Sequence, residues 1–167
     1  MLAGIVSGRS DFERRTLVRA QIDDGQGLSA LNEIYLGHSS HQSARYQLTD
    51  PAGPAERQSS SGVIVSTGTG ATGWCASIAN ERRSHLRLPD PTAPVLAWFV
   101  REAWPSPATG TSHTEGLLTV GEQLHVTAES DRLVLFGDGL EDDRLSVTWG
   151  QQVSIGIAES TLRLVLG

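Results

Sequence analysis

Cysteine is almost absent. Cys75 is the single one among 167 residues, which excludes an intramolecular disulfide and fits a reducing compartment. No apolar run reaches the roughly 18 residues that cross a bilayer. Residues 1–9 hold a short apolar patch without a basic stretch before it, a poor match to a signal peptide. These absences lead us to expect a soluble, cytoplasmic protein. A basic stripe is missing as well. The formal net charge is −6, and the densest basic cluster, Arg9, Arg14, Arg15 and Arg19, is interrupted by Asp11 and Glu13. Nucleic-acid binding rests mostly on phosphate neutralisation, so this balance argues against it. A small anion held by backbone amides needs no net positive charge and stays compatible.

What is present is a succession of short β-type runs separated by turn residues, within a length suited to one domain, 1–167. We expect strands at 17–24, 31–36, 44–48, 62–67 and 95–101, then at 123–128, 132–136, 144–148, 152–157 and 161–166. Asp23-Asp24-Gly25 reads as a hairpin turn, and Gly137-Asp138-Gly139 and Trp149-Gly150-Gln151 as turns between later strands. The Pro-, Gly- and Ser-rich stretch 49–61 reads as a loop, as does the Pro-broken 88–94. One helix is expected, over 70–83. Strands and helices do not alternate, which argues against a doubly wound parallel sheet and for a mainly β, sandwich-like fold with one or two helices. There is no internal repeat.

The most informative segment is 63–74, VIVSTGTGATGW. A β-branched strand runs into Gly68, Gly70 and Gly73, and a helix follows. Glycines permit close backbone approach, a helix start offers unpaired N–H groups, and three threonines supply hydroxyls. The Gly-x-Gly-x-x-Gly spacing also matches a dinucleotide fingerprint, but that fingerprint needs a βαβ unit and an acid ending a second strand. Asp90 stands at about the right distance and lies between two prolines in a loop. A turn that merely joins strand to helix is the plain alternative.

Two further segments bear on the choice. Ala30-Leu31-Asn32-Glu33-Ile34 precedes the glycine turn and Gly137-Asp138-Gly139 follows it. In this order, with residues 66–74, they resemble the C-terminal half of the NAD kinase family, which carries an Asn-Glu or Asn-Asp pair, a Thr-Pro-Thr-Gly-Ser-Thr-Ala-Tyr loop and a later Asp-Gly. Phe12-Glu13-Arg14-Arg15 and the ending from Trp149 to Leu166 resemble flanking segments of that family. The likeness runs from about Phe12 onward and is divergent. Gly68 replaces the family's proline, Ala71 its serine, Gly73 its alanine and Trp74 its tyrosine, and Gly62 follows Ser61 where the family often has an aspartate.

The resemblance implies phosphoryl transfer from ATP or inorganic polyphosphate, with Mg2+ accompanying the donor, to the 2′-hydroxyl of the adenosine ribose of NAD, giving NADP. Asn32 and Glu33 would then contact ribose hydroxyls, since an amide and a carboxylate suit vicinal hydroxyls. Thr67, Thr69, Gly70, Thr72 and Ser77 would line the nucleotide pocket. Trp74 would offer an aromatic face, and Asp138 and Gly139 would sit at the other end of the cleft. The family's reaction also uses a Gly-Gly-Asp-Gly motif in an N-terminal α/β lobe, and no such motif occurs in these residues. The expectation is therefore a C-terminal nucleotide-binding lobe that binds weakly and is inactive alone. It would be completed by a separate N-terminal lobe or by homo-oligomerisation, with no covalently bound cofactor and no membrane partner. A non-catalytic nucleotide-binding or assembly module is the alternative.

Other chemistries have less support. His38 and His41 have no Cys or carboxylate at metal-ligand spacing and read as solvated loop residues. Asp138, Glu141, Asp142 and Asp143 match no calcium loop and read as a charged turn. No G-x-S-x-G elbow is present. Trp98 and Phe99, adjacent in a strand, should point to opposite faces, at least one into the core. Trp104, beside Pro105, is expected half exposed, and Cys75 a buried, inert thiol rather than an activated one.

Overall fold

The computed structural model describes residues 11–166. The readings made on residues 1–9, Arg9 among them, lie outside the described residues. Among the described residues there are twelve strands: β1 Phe12–Ile22, β2 Gly27–Ala30, β3 Glu33–His38, β4 Ala44–Thr49, β5 Glu56–Ser60, β6 Gly62–Ser66, β7 Leu96–Arg101, β8 Glu115–Leu118, β9 Gln123–Ala128, β10 Leu133–Gly137, β11 Leu145–Val147 and β12 Gln152–Val165. Between β6 and β7 stand a 3-10 turn, Gly70–Thr72, and one α-helix, α1, Trp74–Arg82. The mainly β expectation holds.

The strands make two six-stranded sheets, ordered β2-β1-β12-β9-β4-β5 and β11-β10-β3-β6-β7-β8. Every ladder is antiparallel. Their inner faces enclose one core built from alternate residues: Val18, Ala20 and Ile22 of β1, Tyr46 and Leu48 of β4, Ile34 and Leu36 of β3, and Leu96, Trp98 and Val100 of β7. A second, smaller core lies on the outer face of the second sheet, where α1 sets Cys75, Ile78 and Ala79 over Ile64, Ala97 and Phe99. Trp98 and Phe99 thus divide between the two cores, and both are buried.

Four sequence expectations need correction. Residues 31–36 are not one strand: the chain leaves the first sheet after Ala30 and enters the second at Glu33, so Leu31 and Asn32 form the crossing between layers. The 49–61 stretch is not all loop, because β5 pairs with β4 at the sheet edge. Its inward residues, Gln58 and Ser60, are polar: Gln58 Nε2 donates to the His113 carbonyl at 2.7 Å while its Oε1 is buried without a partner, and Ser60 shares a 2.6 Å bond with the Tyr46 hydroxyl. No apolar alternation marked the strand for that reason. The expected strands 152–157 and 161–166 are one strand, continuous because β1 pairs along both halves and a register shift between Thr16 and Val18 absorbs the residues between. The helix expected over 70–83 breaks at Gly73 (φ −107°, ψ −118°) into a 3-10 turn and α1. The Asp23–Gly25 hairpin turn is present, with Gly25 at φ +92° and its N–H donating to the Ile22 carbonyl.

Candidate functional site

The crossing between sheets creates the site. As the chain passes from β2 to β3, the backbone at 31–33 has no sheet partner for several of its N–H groups. Asp138, just past the end of β10, supplies one. Its carboxylate accepts from the N–H groups of Leu31 at 2.9 Å, Asn32 at 2.6 Å and Glu33 at 3.3 Å. The Asp138 N–H in turn donates to the Glu33 carbonyl at 3.0 Å. Gly137 makes the approach possible, since a Cβ there would stand 2.8 Å from the Cβ of Ala30.

The other side of the 31–33 crossing is gripped by the glycine turn after β6. Thr67 is fully buried. Its N–H donates to the Asn32 carbonyl at 2.9 Å and its hydroxyl to the Leu31 carbonyl at 2.6 Å. The same hydroxyl accepts from the N–H groups of Thr69 and Gly70 at 3.1 and 3.3 Å. Ser66 adds a 3.2 Å bond to the Asn32 carbonyl. The three segments singled out in the sequence therefore meet in one corner, tied by backbone hydrogen bonds.

This geometry sorts the expected site residues. Thr67 and Asp138 have their polar atoms engaged by the backbone. No hydrogen bond from the Asn32 or Glu33 side chain to the protein is found among the described residues, and the Thr69 hydroxyl is enclosed without a partner. Thr72 is exposed, its hydroxyl 3.3 Å from the Thr69 carbonyl. Ser77 lies exposed on the first turn of α1, and Gly139 is exposed with φ +71°. Of the three glycines, only Gly73 has room for a Cβ, whose nearest neighbour would be the Gly70 carbonyl at 3.7 Å. A Cβ on Gly68 would meet the Asp90 carbonyl at 2.0 Å, and one on Gly70 the Asn32 carbonyl at 2.3 Å. These two glycines admit the protein's own backbone. β6 pairs antiparallel with both neighbours, so no βαβ unit surrounds the Gly-x-Gly-x-x-Gly spacing.

Burial raises the pKa of Glu33, and the nearby Asp138 carboxylate adds to the effect. Burial likewise pushes the Cys75 thiol up to about 11, in line with an inert thiol. The start of α1 has no side-chain cap, leaving its first N–H groups unsatisfied by any side chain.

The sequence reading missed Tyr35, Phe136 and Arg101. The Tyr35 ring lies over Gly37 and beside Gly62, and its hydroxyl donates to the Ser61 carbonyl at 2.6 Å. Trp74 stacks on it at 5.6 Å between ring centroids, and Phe136 adjoins it at 5.0 Å. The Arg101 guanidinium lies 4.9 Å from the Trp74 ring centroid. Trp74 is thus part of a layered group rather than a lone platform. This group walls an open groove of about 450 Å3 that continues past Glu141 and Arg144 to His38 and His41. A period-two count from Glu33 to Tyr35, and back from Asp138 to Phe136, would have placed both on this face. No group of three or more metal-ligating side chains converges among the described residues. Trp104 is 70% exposed, beyond the half exposure expected.

The fold is that of an NAD kinase-like β-sandwich domain. The chain aligns over 99% of its length with the crystal structure of yeast NADH kinase complexed with NADH, at a TM-score of 0.76 and 16% identity, and covers 47% of that chain. Over 50 residues, 29% of this chain, it is 42% identical to mitochondrial NAD kinase 2 of rat and of human, the match spanning 12% and 11% of those proteins. The chain therefore spans about half the length of the kinase whose fold it shares. No family model matches the sequence.

Proposed function

We propose that this chain is the dinucleotide-binding lobe of an NAD kinase-like phosphotransferase. The observation that carries the proposal is the convergence of the Asn32-Glu33 crossing, the Thr67–Gly73 turn and Asp138 in one corner at the uncapped start of a helix. In this reading Asn32 and Glu33 hold ribose hydroxyls of NAD, and Thr69, Gly70, Thr72, Trp74, Ser77 and Gly139 border the nucleotide, while Thr67 frames the pocket from beneath. The N–H groups at the start of α1 suit a phosphate. The NADH complex of the structural relative and the names of the shorter sequence matches support NAD or NADH as ligand.

Phosphoryl transfer needs positioning and charge stabilisation from more than this corner. Among the described residues of this corner, Glu33 is the carboxylate without a hydrogen-bond partner, and its raised pKa and half-buried setting suit hydrogen bonding. No group of three or more metal-ligating side chains converges among the described residues, and in this reading ATP or polyphosphate and its metal belong to a second lobe. The lobe alone is proposed inactive, in the cytoplasm, and completed by an N-terminal lobe or by a second copy. The alternative is a non-catalytic nucleotide-binding or assembly module, favoured by the half-covered outer face of the second sheet, where Tyr35, Phe136 and Trp74 line an open groove.

Calorimetric titration of the chain with NAD, NADP and ATP tests the proposal. Saturable NAD or NADP binding, weakened at least about tenfold in Asn32→Ala or Glu33→Ala, is the expected result. Binding unchanged in both variants removes the assigned site. Light scattering across a concentration series, with and without NAD, separates the assembly reading.

A further inference from the structure

We infer that Asp138 is a positioning residue: it holds the Asn32-Glu33 crossing in its ligand-facing shape through the backbone and makes no contact with the nucleotide. The inference rests on the nucleotide-binding reading for its consequence, and on geometry alone for its mechanism.

Four observations carry it. Both carboxylate oxygens of Asp138 already serve backbone N–H groups, Oδ2 that of Leu31 and Oδ1 those of Asn32 and Glu33. Charge-assisted bonds of this kind are roughly twice as strong as neutral ones. The Asp138 N–H closes the bridge by donating to the Glu33 carbonyl, so the two segments are locked in both directions. Asp138 also sits at φ +53° and Gly139 at φ +71°, with the Leu140 N–H donating to the Gly137 carbonyl at 2.9 Å. That is a tight turn of the I′ type, which points the carboxylate back toward the crossing rather than outward. Left-handed backbone is disfavoured for most residues but tolerated by Asp and Asn. Finally, the crossing has no sheet partner of its own at Leu31 and Asn32. Without the Asp138 carboxylate, three N–H groups at partly buried positions would lose their acceptor.

The carbonyl side of the crossing is held independently by Thr67 and Ser66. Loss of Asp138 should therefore free the N–H side of the turn while the sandwich stays folded. Asn32 and Glu33 would then sample orientations that no longer converge.

Two measurements on the full chain test this. The first needs no nucleotide: amide resonances and hydrogen exchange of wild type, Asp138→Asn and Asp138→Ala. Leu31, Asn32 and Glu33 should lose exchange protection in Asp138→Ala, with core amides such as Val65 and Leu135 unmoved. Asp138→Asn, which keeps one acceptor oxygen and suits the left-handed turn, should retain the Asn32 and Glu33 signals and disturb Leu31. Unperturbed amides at 31–33 in Asp138→Ala overturn the inference, whether or not NAD binds. The second is a double-mutant cycle on NAD affinity. Asp138→Ala should weaken binding on the order of tenfold in the wild-type background and by severalfold less once Asn32 is already Ala. Equal losses in the two backgrounds would assign Asp138 a direct contact and overturn the inference. Absence of NAD binding by wild type would count against the nucleotide-binding reading alone, because the amide measurement still decides the clamp.

Discussion

The two sheets of this sandwich use the same antiparallel pairing for different ends. In the first, burial alternates along strands such as β1 and β9: β1 buries Val18, Ala20 and Ile22 and turns Arg19 and Gln21 to solvent, and β9 buries Leu124 and Val126 and exposes Gln123 and His125. In the second, the central strands are buried on both sides, all of β6 and all of β7 but its last residue. An antiparallel sheet normally needs only one covered face. Here the second sheet carries a helix on its outside, and the loop leading into that helix is the glycine turn. Among the described residues, the polar face of the first sheet has no corresponding cover. The candidate site lies where this second layer meets the sheet, with its loop gripped by buried backbone on one side.

The comparison can be broken most severely at the buried outward positions. Phe99→Ala, which empties the small core beneath α1, should cost roughly 3–5 kcal/mol in denaturant unfolding, and it should release the helix from the sheet. A loss under about 1 kcal/mol would mean that the helix does not depend on this layer.

The next effect is smaller and local. Gly70→Ala would place a Cβ 2.3 Å from the Asn32 carbonyl. The turn and the crossing must then separate, at a cost of about 1–3 kcal/mol, and NAD affinity should fall with it. Retained affinity in a folded Gly70→Ala would show that the close contact between the two segments is dispensable.

Glu33→Gln sharpens the comparison through pH. Burial, with Asp138 contributing, raises the Glu33 pKa in the folded chain. The folded state therefore holds this proton to higher pH than the unfolded state does, and stability falls as pH rises through the folded pKa. Glu33→Gln removes that cost, so its melting temperature should exceed that of wild type at about pH 7, and the difference should close at about pH 3, well below the ordinary Glu pKa, where the carboxyl is protonated in both states. A variant less stable than wild type at neutral pH would show that the carboxylate is stabilised by contacts and not held against burial.

The smallest effect is expected on the uncovered sheet. Arg19→Ala removes an exposed side chain from the outer face of β1 and should change stability by no more than about 0.5 kcal/mol. A larger loss would mean that this face also has a partner layer.

Most strands were legible because their inward residues alternate or because both faces are apolar, as in GVIVS and LAWFVR. The failures share a cause. β5 was unreadable because Gln58 and Ser60 fill inward positions with polar groups whose partners, His113 and Tyr46, are distant in sequence. The break at 31–32 was hidden because Leu31, Asn32 and Glu33 look like a continuing strand until one knows that β2 and β3 belong to different sheets. The candidate site was legible as three motifs. The division into residues that frame it and residues that face outward was not, since it depends on which polar atoms the fold consumes.

By itself the sequence determined the class of fold, most of its strands, and the residue types at the corner: an amide and a carboxylate, a run of glycines and threonines, and a later Asp-Gly. Only the tertiary structure decided that these residues meet, that Gly68 and Gly70 make room for backbone, and that Asp138 points at the chain's own N–H groups. The last of these outcomes rests on hydrogen bonds spanning 105 to 107 positions. Such bonds exist only after β10 has paired with β3, and no local pattern of residues encodes that pairing.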